Sequence, residues 1–547
     1  MPVAALPLPI LALAAGSAIS RLAGGRFPSV AQPVAAVATW VAAILLAGEW
    51  ALLRAPLTAS FFDLGDGARL AVRLDAASFA IGILMLVPLA IVMTFRRVTT
   101  PALTAVTAAA GLLVVEAADL LLAALALGLT LNLVTLHLVM SACERESGFR
   151  VMSDTSWLAA TWAGAALWGL AGTAQFAAIP VSALSPPIFV LVAIAAVLTA
   201  GLVPWRPWTA TVWERCGPAA AAAPILLIPP LGFDLLLRLY QAGGGRYPNT
   251  AFNVGLAVLG AVVAIASGLR AQAALTRFSF LAELVPAGSG FTLMALSLGT
   301  PVGVAAGLCS LAATSLLAVL LPLTAASDGS TFALLALAAG APPTLVFAAR
   351  VLAVQAAVEG GGTATLVALG GTLAWFLGLA ASARAWRLPP GAMVRPGGGA
   401  AAGFALAGLL LVAGGALVGV LLVAVAVPAA AAVMNVPGGA ISALPAAVDT
   451  ASGRWPAVAL GGIGLGITVA LVGAAWGWRP PPALNPSPFL KPLWAESTDR
   501  LMSIADRVEV PGEFRVTNWQ LLERALAGGR LWPWIATSAA LAVILLR

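Results

Sequence analysis

A carboxylate, imidazole or guanidinium inside an apolar segment must be paired, exchange a proton or meet water, because an isolated buried charge is strongly disfavoured. This sequence holds few such groups. His137, the only histidine, stands in LNLVTLHLVM, and Glu283 stands in FLAELVPAGSG. Asp234 and Arg238 are four residues apart in an apolar run, so one helical face carries both. Each admits two chemistries. His137 reads as a titrating relay or as a packed, hydrogen-bonded ring. Glu283 reads as a site of proton exchange or as the ion-pair partner of Arg277. Asp234 and Arg238 read as part of an ion path or as a self-neutralising pair. The structural reading is the expectation in all three.

Other polar groups have simpler expectations. Glu116 and Asp119 flank a turn and should cap helix ends, and Glu49 beside Trp50 should lie at an interface. Arg206 and Arg350 stand at the two expected helix breaks, where they would bind exposed carbonyls or an anionic group, the carbonyls being the expectation. Cys143, Cys216 and Cys309 lack metal-ligand spacing and read as small packing residues rather than ligands or a disulfide. No phosphate loop, CxxC pair, HExxH motif or Ser/His/Asp set is visible, so no cofactor, metal or catalytic group is expected on this chain.

The elements that hold these groups follow from composition. Of 547 residues, 61% are hydrophobic and 9% charged, against about 25% charged in soluble domains. At about 20 apolar residues per span, the chain is predicted to be an all-α polytopic membrane protein with 14–16 transmembrane helices, and its surroundings are a lipid bilayer. The net charge of +7 reflects arginines in short turns rather than a nucleic-acid surface. Arg21, Arg26, Arg96, Arg97, Arg145, Arg150, Arg270, Arg277, Arg384 and Arg387 fall in alternate turns, which predicts an outside N-terminus and a multi-pass protein of a bacterial inner membrane.

Residues 1–100 read as N-terminal spans with an external hairpin at 54–75, where a Gly-Asp-Gly turn joins alternating apolar residues. Residues 101–240 and 252–390 read as two five-helix units, 400–478 as additional spans, 479–530 as a polar segment with an amphipathic lateral helix, and 531–547 as a final span. Prolines inside apolar runs mark broken helices, which at membrane depth must face protein or a watery cavity. Pro204 and Pro207 mark span seven, Pro224, Pro229 and Pro230 span eight, and Pro342 and Pro343 span twelve. Spans seven and twelve are the two expected breaks.

The order of motifs resembles the antiporter-like membrane subunits of NADH:quinone oxidoreductase, group 4 membrane hydrogenases and multi-subunit cation/proton antiporters. The carrying segments are RLDAASFAIGIL (73–84), AADLLLAALALGLTL (117–131), AALWGLAGTAQFAAI (165–179), LVPWRPWTATVWERCGPAAAAAP (202–224), LGAVVAIASGLRAQAALTRFSFLA (259–282) and GAPPTLVFAARVL (340–352). They are collinear over about residues 70–385, and the extra spans and polar tail are similar to the longest subunit type.

The resemblance implies a proton relay through a glutamate in span five and lysines in later spans, since burial can bring a lysine toward neutrality. This sequence departs there. The glutamate falls on Gly128, the span-seven lysine on Thr199, and later relay positions on Ala313 and Leu317. Arginine, which keeps its proton, stands at Arg350 for a lysine and at Arg206 for a histidine. The only lysine is Lys491. The expected role is therefore a structural or weakly proton-conducting subunit, without catalysis of its own, among other membrane subunits. The alternatives are the membrane component of a two-component ion-coupled transporter, as in inorganic-carbon uptake, and a non-transporting scaffold.

Overall fold

The computed structural model describes residues 6–436, apart from 54, 66–67, 142, 144–146, 205–206, 245–246, 325–332, 336, 339, 341–343 and 392–398. The expected spans at 456–478 and 531–546, the segment 479–530, Lys491, Arg206 and Pro343 lie outside the described residues.

Long uncharged runs with proline or a capping side chain at their starts form helices. In order they are α1 (Leu8–Arg26), α2 (Pro28–Leu53), α3 (Ala76–Phe95), α4 (Pro101–Val115), α5 (Leu120–Met140), α6 (Ser147–Ala171), α7 (Pro186–Thr199) and α8 (Trp208–Ala242). Then follow α9 (Thr250–Ala273), α10 (Arg277–Leu296), α11 (Pro301–Leu323), α12 (Leu345–Glu359), α13 (Ala364–Ala385), α14 (Ala400–Ala416) and α15 (Val418–Met434). Nine described helices are long and apolar enough to cross a membrane, and α14 with α15 makes one further pair bent by 87°. The chain is an all-α polytopic membrane protein.

Helix starts leave N–H groups without a partner inside the helix, and side chains close them. Asp75 accepts from Ser78 N at 2.9 Å, Asp119 from Leu122 N at 2.6 Å, and Thr300 from Gly303 N at 3.0 Å. Proline opens α1, α4, α7 and α11, where a missing N–H costs nothing.

Between α2 and α3 an antiparallel hairpin pairs β1 (Leu57–Gly65) with β2 (Ala68–Leu74). It marks one face of the bundle. On this hairpin face Val72 bridges Ala117 and Asp119 bridges Gln175, tying the α4–α5 turn to the hairpin and to the segment after α6.

Helices α8 and α11 form the buried centre, while α1, α2, α9 and α13 turn much of their apolar surface outward. Exposed Leu22, Ile44, Leu52, Leu366 and Leu409 lie on such outward surface, as a lipid contact requires. Small residues set the closest helix approach. A Cβ on Gly260 of α9 would lie 2.6 Å from Gly290 O of α10, and one on Gly290 2.7 Å from Gly260 O, so only glycine permits that crossing.

Span seven is broken. Helix α7 ends at Thr199, Gly201 takes a left-handed φ of 73°, and helix resumes at Trp208. A second interruption falls at Gly217 (φ 75°), where a short helix passes into the long buried part of α8. Pro224, Pro229 and Pro230, which mark span eight in the sequence, lie inside helix with no departure from helical backbone. The bend sits one residue before Pro218, because glycine alone takes the required φ without strain. In span twelve Gly340 (φ 71°) precedes α12, which starts afresh under a Thr344 cap.

Candidate functional site

The ionisable residues divide into three groups held by different elements. His137, near the end of α5, is buried between α4 and α8. Its Nδ1 lies 2.6 Å from Thr100 Oγ1 and its Nε2 2.9 Å from Ala220 O. A carbonyl only accepts, so Nε2 carries the hydrogen and Nδ1 accepts from the threonine hydroxyl. Both ring nitrogens are thereby occupied.

Glu283 lies where α10 bends. Its ion pair is with Arg270 of α9, Nε to Oε1 2.9 Å, and not with Arg277 as expected. Arg277 instead donates to Ala385 O (3.3 Å) and Trp386 O (3.0 Å), closing the C-terminal end of α13. Arg270 also donates to Ser267 Oγ (2.9 Å) and to Pro204 O, a carbonyl exposed by the break of span seven. At Pro204 a carbonyl is bound by an arginine 66 residues further along the chain.

Asp234 and Arg238 belong to a third group at the hairpin face. Their mutual contact is loose, Nε to Oδ1 3.8 Å. The main partner of Arg238 is Asp75, Nη1 to Oδ2 2.7 Å. The same guanidinium donates to Gln241 Oε1 (2.9 Å), Ser78 Oγ (2.5 Å) and Val115 O (2.9 Å). Arg73 Nε and Gln241 Nε2 each reach Asp75 Oδ2 at 3.2 Å. Burial works to raise the Asp75 carboxyl, but Arg238, Arg73 and the Ser78 N–H outweigh it and hold it well below the usual carboxylate range. The sequence reading missed Asp75. The available signal was Asp-x-x-Ser before an apolar run, a capping pattern that says nothing of a partner 163 residues away.

The structure does not bring the three groups together. Ala220, which holds His137, and Asp234 are separated by about 20 Å along α8 at 1.5 Å per residue, and no hydrogen bond or ion pair among the described residues joins His137, Glu283 and Asp234 in a file.

At the positions that the resemblance sets against a relay, neighbouring side chains fill the space. A Cβ on Gly128 would lie 2.7 Å from Trp157 Cδ1 and Cε2 and closer still to Nε1, so the indole of α6 occupies the room a glutamate stem would need. Thr199 is buried and bonds Ser156 Oγ at 2.5 Å, and Ser156 also donates to Ala195 O at 2.9 Å. Neighbouring residues of α6 therefore close both positions. Ala313 and Leu317 are buried in the apolar core. Arg350 is buried with its guanidinium 5.3 Å above the Phe291 ring and close to Gly340.

Cys143 and Cys216 were read as separate packing residues. The structure joins them: their Cα atoms are 5.3 Å apart and they form a disulfide, while Cys309 is free and buried. The pairing brings the end of α5 against the Gly217 bend, a proximity that a separation of 73 residues does not reveal.

No protein-family model matches the sequence, and no curated protein matches it. Solved structures do. A chain of the Mrp complex from Dietzia sp. is 18% identical and superposes with a TM-score of 0.70 over 98% of this chain and 68% of its own. A chain of the membrane-bound sulfane sulfur reductase, an archaeal respiratory membrane complex, gives 0.63 at 17% identity, covering 75% of each. A chain of respiratory complex I from Thermus thermophilus with bound NADH gives 0.62 at 19% identity, covering 79% of this chain and 100% of its own. The chain has the fold of these membrane-complex subunits. That is the fold to which the motifs at 73–84 through 340–352 point.

Proposed function

We propose that this chain is a divergent antiporter-like integral subunit of a multi-subunit membrane complex, in which it holds the membrane part together and conducts protons weakly or not at all. The observation that carries this reading is the filling of the relay positions: Trp157 against Gly128, and Ser156 bonded to Thr199. A relay needs side chains that lose and regain a proton near neutral pH. Glycine, threonine, alanine and leucine have no such proton, and Arg350 keeps its own. Likeness to chains of an Mrp complex, of a sulfane sulfur reductase and of complex I supports membrane subunits as partners. The arginine-rich turns support a bacterial inner membrane with the N-terminus and hairpin face outside.

The test is proton flux. The purified chain in lipid vesicles under an imposed pH gradient should leak no faster than empty vesicles, or at a small fraction of the rate of a relay-bearing subunit measured alongside. Flux equal to that subunit, abolished by His137→Ala, would overturn the reading. Affinity purification from the native membrane should bring down further membrane subunits. Recovery with one soluble partner alone would favour the two-component transporter.

A further inference from the structure

The hairpin face carries a cluster whose charges do not balance. Arg73 and Arg238 supply two positive charges, and Asp75, Asp234, Glu116 and Glu49 supply four carboxyl groups. Arg238 has five N–H donors. Four go to Asp75, Gln241, Ser78 and Val115 O, and the fifth, on Nε, stays 3.8 Å from Asp234 without a hydrogen bond.

Asp75 thus takes up most of the local positive charge, and three acids are left. Both carboxyl oxygens of Asp234, of Glu116 and of Glu49 are buried with no hydrogen-bond partner among the described residues. Asp234 is 0% exposed and Glu116 1% exposed. Glu116 closes α4 in the turn to α5, with its main-chain oxygen accepting from Arg73 N at 2.6 Å. Its carboxyl lies within electrostatic reach of Glu49 on α2 and Arg238 on α8, and burial first, then Glu49, push it well above the usual range. A cavity of about 560 Å³ adjoins the cluster, and Arg73, Gln241 and Trp50, immediate neighbours of Asp75 and Glu49, are in its wall.

We propose that Glu116 and Asp234 beside Arg238, with Glu49 beside Glu116, form a proton-binding site at the hairpin face, reached through the cavity walled by Arg73 and Gln241 and occupied in the resting protein. A proton fits better than a metal ion. A hard cation needs several oxygen ligands converging on one point, and among the described residues no group of three or more His, Cys, Asp or Glu side chains is placed to hold one. A proton needs a single oxygen. Uptake converts a carboxylate and a hydronium ion from the cavity to a carboxylic acid and water, and release reverses it. The proposal does not rest on the subunit conducting protons.

Infrared difference spectroscopy of the full-length chain in detergent reads this directly. The wild type should show the C=O stretch of protonated carboxylic acid at neutral pH, disappearing as pH rises. Glu116→Gln should remove one carboxyl equivalent of that band, and Glu49→Gln or Asp234→Asn should shift its midpoint. Absence of the band at neutral pH, or a band untouched by all three substitutions, would overturn the proposal. The wild-type titration stays decisive should a variant fail to fold. Repeating it in sodium chloride and in choline chloride should give one curve; a band suppressed by sodium would reassign the occupant to Na⁺. Because the measurement reads protonation rather than flux, its failure and a failure of the flux test are distinguishable.

Discussion

Replacing Gly128 by alanine tests whether the relay position is sterically closed. In an open helix the change would stabilise by about 0.5–1 kcal/mol, because glycine loses more backbone freedom on folding. In α5 the new methyl would stand 2.7 Å from Trp157 Cδ1 and Cε2, where carbon contacts are comfortable at about 3.5–4.0 Å. The indole would have to retreat by about 1 Å, yet Trp157 is packed into the buried core. Overpacking of this kind costs about 1–3 kcal/mol, so the net effect should be a destabilisation of about 1–2 kcal/mol. In a Trp157→Leu background the clash is gone and the same substitution should stabilise by about 0.5–1 kcal/mol. The coupling between the sites is then about 1.5–3 kcal/mol, large for a pair in contact. Equilibrium unfolding of the four proteins in mixed micelles, followed by helical circular dichroism, measures it. Alanine that is neutral or stabilising in the wild-type background, or equal effects in the two backgrounds, would refute the reasoning.

Two further outcomes follow from the turns. Burial, against bonds from the Leu122 and Leu121 N–H groups, raises the Asp119 carboxyl from 3.8 to about 6. A carboxyl raised in the fold adds stability that is complete below its unfolded value and is lost as pH rises through the folded one. Asp119 should therefore lower stability by about 2 kcal/mol between pH 4 and 6, at up to 1.36 kcal/mol per unit, and Asp119→Asn should flatten that fall; an unchanged slope in denaturant titrations counts against it. Thiol counting in denaturant without reductant should find one group, Cys309, and three after reduction. Three without reductant would dissolve the Cys143–Cys216 link.

How much was legible in the sequence depends on the range of each interaction. Apolar runs and helix starts are local, so α1 to α11 and the capping roles of Asp75 and Asp119 could be read from neighbouring residues. The break of span seven was legible from Pro204 and Pro207, whereas the bend in α8 falls at Gly217 and not at Pro224 to Pro230. A proline inside a buried helix removes one donor and can be absorbed, while only glycine takes the left-handed φ found at residue 217.

Partnership across the bundle was not legible. Pattern alone pairs Arg238 with the aspartate one turn away and Glu283 with the nearer arginine in its segment, since helical spacing is what a sequence displays. The folded chain prefers Asp75 for the first and Arg270 for the second, because a guanidinium in a dry interior donates to the acceptors that packing delivers, at whatever chain distance. The same holds for Cys143 with Cys216. Composition alone determined that this chain is a helical bundle of a membrane, while the positions of a relay came only from the family resemblance. Only tertiary structure decided what surrounds Gly128 and Thr199, an indole over the first and a hydroxyl partner at the second, and that Asp75, Asp234 and Glu116 should gather near one arginine at the hairpin face.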